Sequence, residues 1–235
     1  TGGGKTEAYL LLAAFEMFRR RLIYGEAGNG TSVVSRYTLS LLTADQFKRT
    51  ASTTAACEYL RRRHPAELGD EPISVGLWVG EATSPNKYVT ARERFDELRD
   101  AGETDERFLL DRCPWCGTEI VPREHHPDDS LYGITATDRS FAFNCPSAKC
   151  EFHEHIPVQV VDSGLYDSPP TFLLGTVDKL AMLGQHTDTI AKDIGMFGLA
   201  RWIGPTGHLD SPRTADALRD GPAAAGFNQI GRAHV

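Results

Sequence analysis

The chain has 235 residues, 40% of them hydrophobic and 24% charged, and a formal net charge of −7. That is enough apolar content for a sizeable core, in one large domain or in a domain with an insertion. The acidic balance excludes a globally basic nucleic-acid coat but leaves room for a local basic patch, and no apolar run approaches the ~18 residues of a membrane helix.

The chain opens on TGGGKTE (Thr1 to Glu7). These residues offer neither the charged head nor the cleavage site of a signal peptide, and the paired cysteines further on suit a reducing compartment, so the expectation is a cytoplasmic protein. Lys5 to about Ile23 reads as a helix: apolar residues recur without a break, and Arg19, Arg20 and Arg21 fall in its last turns, where cations suit the helix dipole. Gly25 to Gly30 is a loop. Ser32 to Thr38 is short and β-branched, the pattern of a buried strand. Thr43-Ala44-Asp45-Gln46 is a capping-box pattern and starts a helix that runs to about Arg63. Pro65 to Pro72 reads as a loop, Ile73 to Val79 as a second strand, Thr83 to Tyr88 as a polar loop and Val89 to Ala101 as a charged helix. A cysteine-bearing segment spans roughly residues 107–161. Thr171 to Thr176 is a third strand, and Val177 to Leu183 begins a helix. From Gly204 onward no pattern holds. Strands alternating with helices predict an α/β fold with a mostly parallel sheet.

The predicted division is therefore a first α/β part over residues 1–106, an insertion over 107–161, a return to the α/β domain over 162–203 and an irregular stretch over 204–229. The last six residues, IGRAHV, match one reading frame of a common sequencing adaptor and are read as adaptor read-through. A phosphate loop hangs from the end of a buried strand, and here none precedes Thr1. With no initiating Met either, the expectation is an internal piece of a longer protein.

Gly4-Lys5-Thr6 supplies the end of the pattern G-x-x-x-x-G-K-[ST]. Gly2, Gly3 and Gly4 let backbone N–H groups curl around a phosphate with no Cβ in the way. Lys5 brings a point charge to the β- and γ-phosphates, the Thr6 hydroxyl can join the coordination of Mg²⁺, and the helix that follows aims its positive end at the anion. Thr1 to Thr6 are thus the candidate ATP-binding residues, with Lys5 and Thr6 the catalytic candidates. The alternative is a glycine-rich turn that merely caps a helix.

The cysteine segment holds Cys113-Pro-Trp-Cys116-Gly and, after 28 residues, Cys145-Pro-Ser-Ala-Lys-Cys150. Four thiolates in two short pairs satisfy tetrahedral Zn²⁺ with no open position, which means a structural site. His125, His126, His153 and His155 lie near enough in sequence to replace one cysteine. A redox dithiol at Cys113 and Cys116 is the other reading, and it leaves the second pair unexplained. So small and polar a segment is expected to fold as a unit separate from the α/β domain, with the metal supplying much of its order. Cys57, inside an apolar helix, reads as a small core residue.

TGGGKTE, then RYTLSLLTADQFKR (Arg36 to Arg49) and PTFLLGTVDKLAML (Pro170 to Leu183), resemble superfamily 2 helicases and, more closely, the DrmA-type helicases of DISARM anti-phage systems. The resemblance covers Thr1 to about Leu183, including a zinc-ribbon-like insertion. It implies a partial RecA-like P-loop NTPase domain, an ATP-dependent helicase or translocase, and nucleic acid, DNA first, as partner beside other defence-system proteins. It also implies that the segment after the second strand and the TVDK segment touch the nucleic-acid backbone, and Arg36, Thr38, Gln46 and Thr176 are the candidates near the nucleic acid. Each has a structural alternative: Gln46 as the capping-box partner of Thr43, Thr176 as the cap of the helix from Val177, and Arg36 as a paired residue in its strand. Lys179 is expected to be solvent-exposed. The family's D-E-x-H carboxylate pair, arginine finger and second motor domain are not found in this sequence, so the chain alone is expected to be inactive as an ATPase. Two other readings compete. A nucleotide kinase with a zinc-braced lid would call for closer cysteine pairs and an Arg-rich lid. A non-enzymatic zinc module would leave the strand–helix alternation unexplained.

Overall fold

A computed structural model describes residues 4–38, 44–101, 108–122, 124–181, 201–203 and 209–212. In chain order the elements are α1 (Lys5–Tyr24), a 3₁₀ turn (Gly25–Gly28), β1 (Val33–Tyr37), α2 (Ala44–Arg63), α3 (Pro65–Leu68), β2 (Val75–Trp78) and α4 (Tyr88–Ala101). A second 3₁₀ turn (Asp129–Leu131), β3 (Ile134–Thr137), β4 (Ser140–Phe143), β5 (Val158–Gln159), α5 (Asp162–Asp167), β6 (Phe172–Thr176) and α6 (Val177–Ala181) follow, then β7 (Arg201–Ile203) and β8 (Leu209–Pro212).

The apolar runs expected to be strands meet in one parallel sheet of order β1-β6-β2-β5. Phe172 lies opposite both Val33 and Val75, and Val75 opposite Val158. β6 sits between β1 and β2 and is buried along its whole length, as an unbroken apolar run in a covered parallel sheet should be. β2 is buried throughout as well. It carries a glycine where α5 comes close: a Cβ on Gly76 would lie 2.4 Å from Leu165 and 2.5 Å from Pro170. β1 differs from its expected burial. It is the edge of the described sheet, its residues are half-buried, and Arg36 is exposed.

The core begins at Ala13 and Met17 of α1 and continues through Phe47, Ala51 and Ala55 of α2 to Val75 and Leu77 of β2. It then runs without a break into Cys113, Ile120, Phe141, Phe143, Cys145, Phe152 and Ile156. The buried residues of the cysteine segment thus pack against those of the sheet and its helices, a contact its polar composition did not suggest. Its apolar residues are few but in phase. Phe108 stacks on Phe141 with ring centres 5.1 Å apart, Phe141 meets Phe143 edge-on at 5.1 Å, and Phe143 bridges to Ile156. The segment ends inside the central sheet, because β5 is its last strand and pairs with β2. That last strand is only two residues long.

Three further differences are local. Pro65–Leu68 is a short helix where a loop was expected, with Pro at its first turn where the missing N–H costs nothing. β7 and β8 pair antiparallel, so Leu209–Pro212 is extended within the stretch that showed no pattern. α1 is apolar on both faces: opposite its buried side, Leu11, Leu12, Phe15, Leu22 and Ile23 stand exposed. Among the described residues no helix is long and apolar enough to cross a membrane.

Candidate functional site

The four paired cysteines converge. The Sγ atoms of Cys113, Cys116, Cys145 and Cys150 all lie within 4.8 Å of one another. The Cys113–Cys150 separation is 3.8 Å and the Cys116–Cys145 separation 3.5 Å. Zn–S bonds of about 2.3 Å in a tetrahedron place the sulfurs ~3.8 Å apart, so the donor set fits that ion with little movement. The local sequence explains the convergence. In the first pair the Cys113 carbonyl accepts from the Gly117 N–H at 2.9 Å, and the Cys113 N–H donates to the Thr118 carbonyl at 2.8 Å. This tight turn needs Gly117 at φ 78°, a left-handed conformation costly for other residues. In the second pair the Cys150 N–H donates to the Ser147 carbonyl at 2.9 Å, and the Phe152 N–H points at the Cys150 sulfur at 3.4 Å. None of the four histidines weighed as a replacement ligand belongs to the cluster; His153 Nδ1 instead meets the Cys145 carbonyl at 2.7 Å.

The thiols are not equivalent. Burial raises the Cys145 thiol to about 11 and raises Cys150 further. At Cys116 burial also pushes upward, but hydrogen bonds from the Thr118 hydroxyl and N–H outweigh it and bring the thiol down to about 6. A bound metal cation would draw protons off the thiols. Cys57 stands apart as a buried core residue, as expected, its thiol raised to about 12 by burial.

A second set of candidates gathers at the carboxyl ends of the parallel strands. Tyr37 lies opposite Thr176 in the β1–β6 register, so Arg36, Thr38 and Thr176 share one edge of the sheet. Arg36 and Thr38 are exposed, whereas Thr176 is buried. Gln46 is half-buried in the first turn of α2. Near the start of α1, Glu7 forms an ion pair with Arg49 of α2. Gly4 precedes α1 with φ 63°, Lys5 is exposed and Thr6 half-buried. Thr1, Gly2 and Gly3 lie outside the described residues, as does Thr43. In open α/β sheets the crevice at the carboxyl ends of the strands is where ligands bind.

Sequence reasoning missed one member of this edge. Lys179, expected in solvent, is held by Asp162 at 2.7 Å and donates to the Asn86 side chain at 3.1 Å. Asp162 is only 5% exposed. The clasp ties α6 to α5 and to the loop before α4. The sequence held half of the signal: the mostly apolar stretch Val158-Gln159-Val160-Val161 runs into Asp162, and a buried carboxylate calls for a cation without saying which one.

No protein-family model matches the chain. A search of curated proteins finds 36% identity over 202 residues, 81% of this chain, with DISARM protein DrmA of Bacillus paralicheniformis. The chain spans 18% of that relative. This chain is therefore similar to a DISARM DrmA protein over most of its own length, as a partial match to a much longer one.

Proposed function

We propose that the chain is part of an ATP-dependent superfamily 2 helicase or nucleic-acid translocase that acts in anti-phage defence inside the cell. The observations that support the reading are the shared carboxyl-end edge of Arg36, Thr38 and Thr176 in a parallel sheet and the pairing of Glu7, near the start of α1, with Arg49 of α2. In this reading the sheet is part of a RecA-like motor domain. Thr1 to Thr6 hold the phosphates: Lys5 neutralises the β- and γ-oxygens, the glycine backbone and the start of α1 supply N–H donors, and the Thr6 hydroxyl helps to hold Mg²⁺. Mg²⁺, when bound, neutralises charge on the phosphates. Arg36, Thr38, Gln46 and Thr176 line the track of one nucleic-acid strand, DNA first, by contacts to its backbone. The four cysteines hold Zn²⁺ as a structural ion. The kinase reading finds no Arg-rich lid, and the reading as a non-enzymatic zinc module leaves the parallel sheet and its helices without a role.

Anisotropy of a labelled single-stranded DNA tests the track. Binding by the protein should weaken on Arg36→Ala and lose about one unit of its salt slope, as the loss of one phosphate contact requires. An unchanged affinity and salt slope would remove Arg36 from the track.

A further inference from the structure

The cysteine cluster lies along α2 and is fastened to it at both ends. Near the start of the helix, Lys48 pairs with Asp111 at 2.6 Å, two residues before the first ligand cysteine. Near its end, Trp115, between Cys113 and Cys116, stacks on Tyr59 with ring centres 4.6 Å apart and planes inclined by 29°. The same indole meets Phe152, two residues after Cys150, edge-on at 5.7 Å. The α2 arginines close the arrangement. Arg63 lies over the Tyr59 ring at 3.6 Å, and Arg62 lies over Phe152 at 4.7 Å while donating to the Glu151 carbonyl at 2.9 Å. The indole therefore touches one residue of α2 and one beside the second cysteine pair, while sitting inside the first pair. Despite being 38% exposed it fills the join among three segments.

We propose that Trp115 is a positioning residue through which the metal-loaded cysteine cluster holds α2, the helix that carries Gln46 in its first turn. The proposal rests on the reading of the four cysteines as a zinc site. With the ion bound, the backbone between Cys113 and Cys116 is fixed on both sides of Trp115, so the indole is presented to Tyr59 in one orientation. Without the ion, four thiols 3.5–4.8 Å apart have no common partner. The turn is then free to open, and the stack goes with it. Glu58, next to Tyr59 on α2 and held by Arg61, accepts from the Ile73 N–H just before β2, so loosening at Tyr59 travels toward the sheet.

Hydrogen exchange followed by mass spectrometry tests this on the whole chain, loaded with zinc or stripped by chelator, as parent, Trp115→Ala and Trp115→Phe. In the parent, stripping should speed exchange in residues 55–63 as well as around the cysteines. Trp115→Ala should keep one zinc per chain, yet exchange in 55–63 roughly three- to tenfold faster than the loaded parent, the range an aromatic pair contributes. It should also lose most of its response to chelator there. Trp115→Phe, which keeps a ring, should restore much of both. A zinc-loaded Trp115→Ala with parental protection in 55–63, or with a parental response to chelator, overturns the proposal and leaves the metal site standing. A parent that binds no zinc overturns the metal site, and the proposal with it.

Discussion

Glu58 is the most heavily committed side chain in the described core. It is 1% exposed, and it accepts from Arg61 at 2.7 and 2.8 Å, from Arg62 at 2.9 Å and from the Ile73 N–H at 2.8 Å. Burial alone would raise its carboxyl, but the hydrogen bonds from Arg61, Ile73 and Arg62 win and hold it below its ordinary value near 4.5. Glu58→Gln keeps the shape and removes the charge. Arg61, itself 8% exposed, then loses its counter-charge in a buried place. Breaking one side of a buried pair costs about 3–5 kcal/mol. In a chain of this size each kcal/mol moves the midpoint by about 2–4 °C, so thermal unfolding at pH 7 should come about 6–20 °C earlier than in the parent. The pH dependence has a fixed sign. A carboxylate with a depressed folded pKa adds stability that is fully present above its unfolded value and is lost as pH falls through the folded one. The gap between parent and variant should therefore be full at pH 6–7 and shrink as pH drops below about 4.5. Circular dichroism melts across that range read it. Midpoints within 1 °C at pH 7, or a gap that does not narrow in acid, would refute the assignment.

Other expectations follow from the same geometry. Cys116→Ser should drop bound zinc from one per chain to a small fraction by elemental analysis. Because the cysteine segment shares its core with α1 and α2, it should expose protease sites in 5–24 as well as in 108–161; cleavage confined to the cysteine segment would mean the shared core is not cooperative. Lys179→Ala should destabilise the chain by about 1.5–3 kcal/mol in urea unfolding, since it leaves the buried Asp162 carboxylate without its cation. Asp162→Asn with Lys179→Met should recover part of that loss, and a double variant worse than either single one would contradict the clasp. Steady ATP turnover by the chain on its own is expected to be undetectable by phosphate release. Turnover that disappears on Lys5→Ala would show that the catalytic carboxylates lie within this chain.

Much of the fold was legible because the strands are short apolar runs set between helices with strong periodicity. Phe172–Thr176, with no charge in it, reads directly as a central parallel strand. The capping pattern at Thr43 announced α2, and two close cysteine pairs announced the cluster, since few constraints other than a metal place thiols at those spacings. The errors have a common cause: tertiary contacts between distant segments leave no local trace. β5 is two residues long, too short for periodicity, so the return of the cysteine segment to the sheet went unseen. Phe141, Phe143 and Phe152 are diluted among charged neighbours, so a shared core looked like a polar appendage. Lys179 sits in a helix of five residues, and nothing nearby in sequence signals that Asp162, seventeen positions earlier, will face it. Arg36 looked buried because a β-branched run is the same for a central strand and an edge strand.

The central claim is that the start of α1 is a nucleotide phosphate site at the edge of a motor domain. Titration calorimetry of the parent and Lys5→Ala with ATP and Mg²⁺ tests it most directly. The account predicts measurable binding by the parent and at least about tenfold weaker binding by the variant, because the backbone cradle survives while the charge on the β- and γ-phosphates is lost. Equal affinity in the two proteins, or no binding by the parent, would contradict it.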